Sequence, residues 1–206
     1  DPHLDDVEWC VYCPFDTKGY DSLRPSGERP ISIALYHGSV WGSHTDGDFM
    51  LEGETKMSRF REFTFTMLGD IHKRQQMDKD GRIHYPGSTI QQNYGETPGK
   101  GFLCWHIDGP DDWKVEFHPV AHENPFVTVD WQGNIVATIN KCVETWPRGA
   151  RYRIRASEQL DPKTQRKVST VLRREYDAHE VVFKLVPKHQ GQTQEEIIEK
   201  LEVLDL

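Results

Sequence analysis

The sequence predicts an α/β fold in which strands dominate the first two thirds and a small strand-helix-strand unit follows. Three observations predict it. Short apolar runs rich in Val, Ile, Phe and Thr recur from residue 7 to about 140, punctuated by Gly, Pro and Asp. Two of these runs stop abruptly, one in His37-Gly38 and one in Gly69-Asp70-Ile71-His72, as strands do at the ligand-binding edge of a parallel or mixed sheet. From about residue 148 an alternating run, an amphipathic segment and another apolar run succeed one another.

Taken in order, "VEWCVYCPF" and "ISIALY" read as strands separated by the loop "RPSGERP", and residues 50–62 as a short helix. "FTFTML" is the next strand, "DKDGR" a turn, and "IHYPGS", "GFLCWHI", "WKVEFHPV", "FVTVDW" and "NIVATI" further strands. "ARYRIRA" alternates as a strand. "DPKTQRKVSTVLRREY" has Pro162 at a first-turn position and Val168, Val171, Leu172 and Tyr176 at helical spacing. "EVVFKLV" is a strand again, and the T-x-x-E box of Thr193 and Glu196 opens a terminal amphipathic helix. The expected domains are 1–145, 146–188 and 189–206.

Composition narrows the classes. With 36% hydrophobic residues, 28% charged residues and six Trp among 206 residues, the chain has the means to build a core, which a disordered chain lacks. No apolar run approaches the ~20 residues of a membrane span, and no signal peptide opens the sequence. The expectation is an intracellular, cytoplasmic protein: nucleoid-associated, or in the host cytoplasm if viral. The opening "DPHLDD", without Met or a first strand, reads as a piece of something longer. Of the four Cys, Cys10 and Cys13 form a CxxC without the second pair that a zinc ribbon wants. Strand alternation points their thiols to opposite faces, so buried free thiols are expected.

The chemistry concentrates in "MLGDIHKRQ". In extended backbone Asp70 and His72 project to one side, and imidazole with carboxylate suits a first-row divalent ion, the carboxylate favouring harder ions such as manganese or magnesium. His37 ends a neighbouring strand. In "HYPGSTIQQNYGE", Pro86, Gly87 and Ser88 follow a strand, where Gly permits close backbone approach and its neighbours offer N–H and hydroxyl donors to a phosphate. Lys73 and Arg74 are further candidate phosphate contacts.

These stretches, "LYHGSV", "LGDIHKRQ" and "YPGSTIQQNYGE" followed by "KGFLCWHID", resemble the second half of the calcineurin-like metallophosphoesterase domain of SbcD-type DNA-repair and recombination nucleases. The resemblance spans roughly residues 10–110. It implies the C-terminal portion of a metallophosphoesterase β-sandwich with flanking helices, followed by a DNA-capping domain. The implied activity is a metal-dependent exo- and endonuclease that hydrolyses DNA phosphodiesters in double-strand-break repair or recombination. It also implies a homodimer partnered by an SMC-like ABC ATPase, which the terminal helix is placed to dock.

By the same resemblance His37, Asp70 and His72 are metal ligands, with Asp70 where the family carries a His. The cofactors are then two divalent ions, manganese or magnesium, which need about seven ligands ~4 Å apart. Asp1 and His3 superficially fit the family's first ligand pair. The remaining ligands and the catalytic acid are expected upstream, so no catalytic residue is assigned.

A net charge of −8 opposes a nucleic-acid partner unless cations are gathered on one surface. Arg151, Arg153 and Arg155 alternate along one strand, with Arg148 before them and Arg166, Lys167, Arg173 and Arg174 on the following helix. That local surface suits DNA-backbone contact without base reading, with a charge-protected strand edge as the competing explanation. Two other readings stand beside the nuclease: a non-catalytic DNA-binding and partner-docking piece, and a metallophosphoesterase acting on nucleotides or phosphoproteins.

Overall fold

The computed structural model describes residues 6–12, 23–53 and 55–186, and the chain divides into two units between Glu123 and Asn124. Its architecture is mixed α/β.

The first unit contains β1 (Val7–Tyr12), β2 (Ile31–His37), β3 (Phe65–Gly69), β4 (Gln75–Gln76), β5 (Ile83–Tyr85), β6 (Gly101–Ile107) and β7 (Trp113–Pro119). A five-stranded sheet runs β1-β2-β3-β5-β4, parallel except for β4. Both faces of its middle are covered, which is why β2 reads as a continuous apolar run. On one face Tyr12, Ala34, Tyr36, Leu68, Ile83 and Tyr85 pack with Phe60 and Phe63. On the other, Ile31, Ile33 and Phe65 receive Trp105, Ile107 and Trp113 from the β6-β7 hairpin. Cys10 is a buried free thiol on β1, and burial raises its pKa.

The second unit is β8 (Phe126–Asp130), α1 (Ile135–Thr145), β9 (Arg151–Ala156), α2 (Pro162–Glu175) and β10 (Glu180–Leu185). Its strands pair in the order β10-β9-β8, all parallel, so each helix is a crossover between parallel strands. Tyr152, Ile154, Val168, Leu172 and Cys142 are fully buried between sheet and helices. Asp161 caps α2 by accepting from the backbone N–H of Lys163 and Thr164, each at 3.0 Å, with Pro162 behind it.

Three expectations change. "NIVATI" is not a strand but the start of α1. Asn134 caps it, accepting from Ala137 N at 2.9 Å, and Thr138, Ile139 and Cys142 are buried at helical spacing. The division falls before β8 rather than at residue 145, because β8 pairs with β9 along its whole length. Residues 50–62 hold only a 3₁₀ turn, Met57–Phe60, since bridges between His44 and Met50 and between Val40 and Thr55 hold the preceding backbone extended. The expected helix after Thr193, Asp1, His3 and Cys13 lie outside the described residues. Among the described residues no helix is long and apolar enough to cross a membrane.

Candidate functional site

Because β2, β3 and β5 are parallel, their carboxyl ends share one edge of the sheet. His37 ends β2, Asp70 and His72 follow β3, and Pro86, Gly87 and Ser88 follow β5. Buried Tyr85 secures this edge: its hydroxyl donates to Gly38 O at 2.7 Å and accepts from Val40 N at 3.0 Å. Burial pushes the Tyr85 pKa well above the ordinary tyrosine value, so the hydroxyl keeps the proton it donates.

Asp70 and His72 line one cleft of about 410 Å³, together with Asp46, Phe49, Asn93 and Glu96. They meet there by a different route from simple alternation, since Asp70 has φ 85°, in the left-handed region that Asp tolerates better than most residues. His37 does not line that cleft. It is exposed beside Gly69, where a Cβ would stand 2.9 Å from the His37 Cδ2, so a side chain at 69 would require the exposed ring to shift.

His72 is held from behind. Its Nδ1 lies 2.9 Å from Glu96 Oε1. Glu96 also accepts from Asn93 Nδ2 at 3.0 Å, Gln92 N at 3.1 Å and Lys100 Nζ at 3.2 Å. Burial raises its pKa, but the hydrogen bonds from His72, Gln92 and Lys100 together with the Lys100 charge outweigh that and hold the carboxyl below its ordinary range. Lys100 is only 3% exposed and further donates to Asp46 Oδ2 at 2.8 Å and to His72 O at 2.9 Å. Asp46 in turn accepts from Thr97 Oγ1 at 2.9 Å. A buried ammonium between two carboxylates thus ties the 44–50 loop, the segment after β3 and the segment before β6 into one frame.

The expected phosphate contacts surround a second, smaller cavity of about 230 Å³, lined by Lys73, Arg74, Gly87, Ser88, Lys100, Asp46 and Asp48 among others. Gly87 has φ 80°, and a Cβ there would stand 2.8 Å from His72 O and 2.9 Å from Arg74 N. Its close approach is therefore to the 72–74 backbone, sealed by Ser88 N donating to His72 O at 3.2 Å. The Ser88 hydroxyl is buried without a hydrogen-bond partner among the described residues, an open donor at the cavity wall. Lys73 pairs with Asp48, and the Arg74 guanidinium lies 3.7 Å from the centre of the Phe117 ring.

In the second unit the alternation of β9 places Arg151, Arg153 and Arg155 on the face opposite the helices, as expected. Most of their charge is engaged within the unit. Arg155 donates to both oxygens of Asp130 at 2.8 and 3.0 Å, Arg153 to Thr128 Oγ1 at 3.2 Å, and Arg151 to Asn124 O. Arg148 pairs with Asp177. The cations of α2 differ. Lys163, Arg166, Lys167, Arg173 and Arg174 are exposed along one helical face, and no carboxylate among the described residues pairs with them. They track about 16 Å of helix at 1.5 Å per residue.

Asp46, Glu96 and Lys100 were not foreseen as site residues. The i,i+4 spacing of Glu96 and Lys100 is the one local signal, and it is common on solvated surfaces. A divalent ion suits the donor chemistry of Asp70 and of His72, whose Nδ1 is already occupied. Among the described residues, however, no group of three or more His, Cys, Asp or Glu is arranged to hold an ion. The residues present would supply part of a coordination shell.

No family model matches the chain. It is 43% identical over 79 residues, 37% of its length, to "Uncharacterized protein R555" of Acanthamoeba polyphaga mimivirus, and it spans only 6% of that relative.

Proposed function

We propose that this chain belongs to an SbcD-type, metal-dependent DNA nuclease subunit and carries the C-terminal portion of its metallophosphoesterase β-sandwich followed by a DNA-capping unit. The observation that carries the reading is the convergence, along one edge of parallel strands, of Asp70, His72 with its imidazole held by Glu96, and the Gly87-Ser88 turn. Asp70 and His72 would hold a manganese or magnesium ion; His37, proposed as a further ligand, ends the neighbouring strand outside their cleft. The paired ions of such a centre activate water and neutralise charge on a phosphodiester. The chain's own contribution is to fix the His72 ring, to offer the Ser88 hydroxyl and to bring Lys73 and Arg74 to a neighbouring phosphate. The α2 cations provide a sequence-independent grip on the DNA backbone, with Arg148, Arg151, Arg153 and Arg155 as secondary contacts. In this reading the partners are DNA, a second copy and an SMC-like ATPase.

A second reading, a non-catalytic DNA-binding and docking piece, is favoured by the lack of a three-ligand group among the described residues. Digestion of linear double-stranded DNA by the purified chain, with and without Mn2+, separates the two. Manganese-dependent cleavage that His72→Ala abolishes supports the nuclease. DNA binding without cleavage favours the docking piece, and neither binding nor cleavage contradicts both.

A further inference from the structure

We infer that Glu96 is the positioning residue for His72: by taking the hydrogen of Nδ1 it fixes the tautomer that leaves Nε2 as the ring's sole lone pair. The inference rests on His72 being a ligand in the proposed metal centre.

The contact is 2.9 Å long, and a carboxylate has no hydrogen to give, so the N–H belongs to Nδ1. Glu96 has little freedom to do otherwise. Its side chain is 6% exposed and is fixed by Gln92 N, Asn93 Nδ2 and Lys100 Nζ at 3.0 to 3.2 Å. Lys100 also grips the His72 carbonyl at 2.9 Å, so one buried pair holds both the ring and the backbone of the same histidine. Such an arrangement exceeds what a loop tether requires, since a tether would not need to select a ring nitrogen. Free histidine side chains favour hydrogen on Nε2, the opposite form, so the selection leaves a measurable signature. A carboxylate behind a ligating imidazole orients the ring and raises its basicity, and its loss typically lowers metal affinity by about 10–100-fold.

The test uses long-range ¹H–¹⁵N correlation spectra of the metal-free 206-residue chain, with the His72 signals assigned by their loss in His72→Gln. His72 is expected in the Nδ1–H form in the wild type and shifted toward Nε2–H in Glu96→Ala. Calorimetric titration with Mn2+ should then show about 10–100-fold weaker binding in Glu96→Ala, and a smaller loss in Glu96→Gln, whose amide oxygen can still accept. A wild-type His72 with its hydrogen on Nε2 overturns the inference without any variant. So does a folded Glu96→Ala, checked by circular dichroism, that keeps both the Nδ1–H form and full Mn2+ affinity. A tautomer that responds to Glu96 in a chain that binds no Mn2+ upholds the positioning and instead defeats the metal reading.

Discussion

The two units of the molecule solve opposite problems. The second places one apolar layer between a three-stranded sheet and two helices, and the buried polar groups within it, the Tyr152 and Thr138 hydroxyls, are uncharged. The first has apolar layers too, but at the carboxyl edge of its sheet it buries a charged frame. There Lys100, Asp46 and Glu96 are each nearly inaccessible, whereas left-handed backbone occurs in both units, at Asp70 and Gly87 in the first and at Asp177 in the second. Natural chains carry a locally costly feature such as that buried frame mainly where function needs it. The contrast is what the proposed reading uses: it puts the proposed metal site in the first unit and leaves the exposed cationic helix of the second as the proposed DNA contact.

Substitutions sharpen the contrast. Lys100→Met leaves two buried carboxylates without their cation, and a decrease of about 3–5 kcal/mol in stability is expected in urea denaturation. Leu172→Ala in the second unit should cost about 2–5 kcal/mol through cavity formation. Only the Lys100 change should also alter the signals of His72. Gly87→Ala forces a Cβ against the 72–74 backbone at positive φ, with about 1–3 kcal/mol expected, read as a lowered Tm.

For DNA binding, replacing Lys163, Arg166, Lys167, Arg173 and Arg174 with Ala should flatten the log–log salt dependence by about 0.9 for each phosphate that the protein no longer neutralises. Replacing Arg151, Arg153 and Arg155 should flatten it less, because Arg155 is already committed to Asp130. Equal effects from the two sets would erase the distinction between them.

The smallest expected effect is on acid stability. The folded state holds Glu96 below its ordinary value of 4.5. The unfolded chain therefore binds that proton first as pH falls, and this contribution is complete above 4.5 and lost as pH drops through the lower folded value. Glu96→Gln should reduce the fall in stability below pH 4.5, measured by thermal denaturation across pH.

What was legible in the sequence follows the same division. Strands β1 to β3, β5 to β10 and helix α2 announce themselves because their apolar periodicity and turn residues are local. The exception, "NIVATI", is apolar and β-branched enough to mimic a strand, and its helical state depends on the Asn134 cap and on packing by Thr138 and Cys142. At the site, Asp70, His72, Gly87 and Ser88 were legible because they sit just past strand ends. The frame behind them was not, since Asp46 and Lys100 lie 54 positions apart and Glu96 reaches back 24 to His72. No local pattern encodes such pairings. The basic surface was only half legible: alternation identified the β9 arginines, but not that neighbouring carboxylate, hydroxyl and carbonyl oxygens already engage them.

The most direct measurement is an equilibrium titration of the wild-type chain and His72→Ala with Mn2+ by calorimetry. Saturable binding in the wild type, weakened at least about tenfold in His72→Ala, is the predicted result for a ligating histidine. Equal affinity in the two proteins, or no binding by the wild type, would contradict the assignment of this cleft as a metal centre.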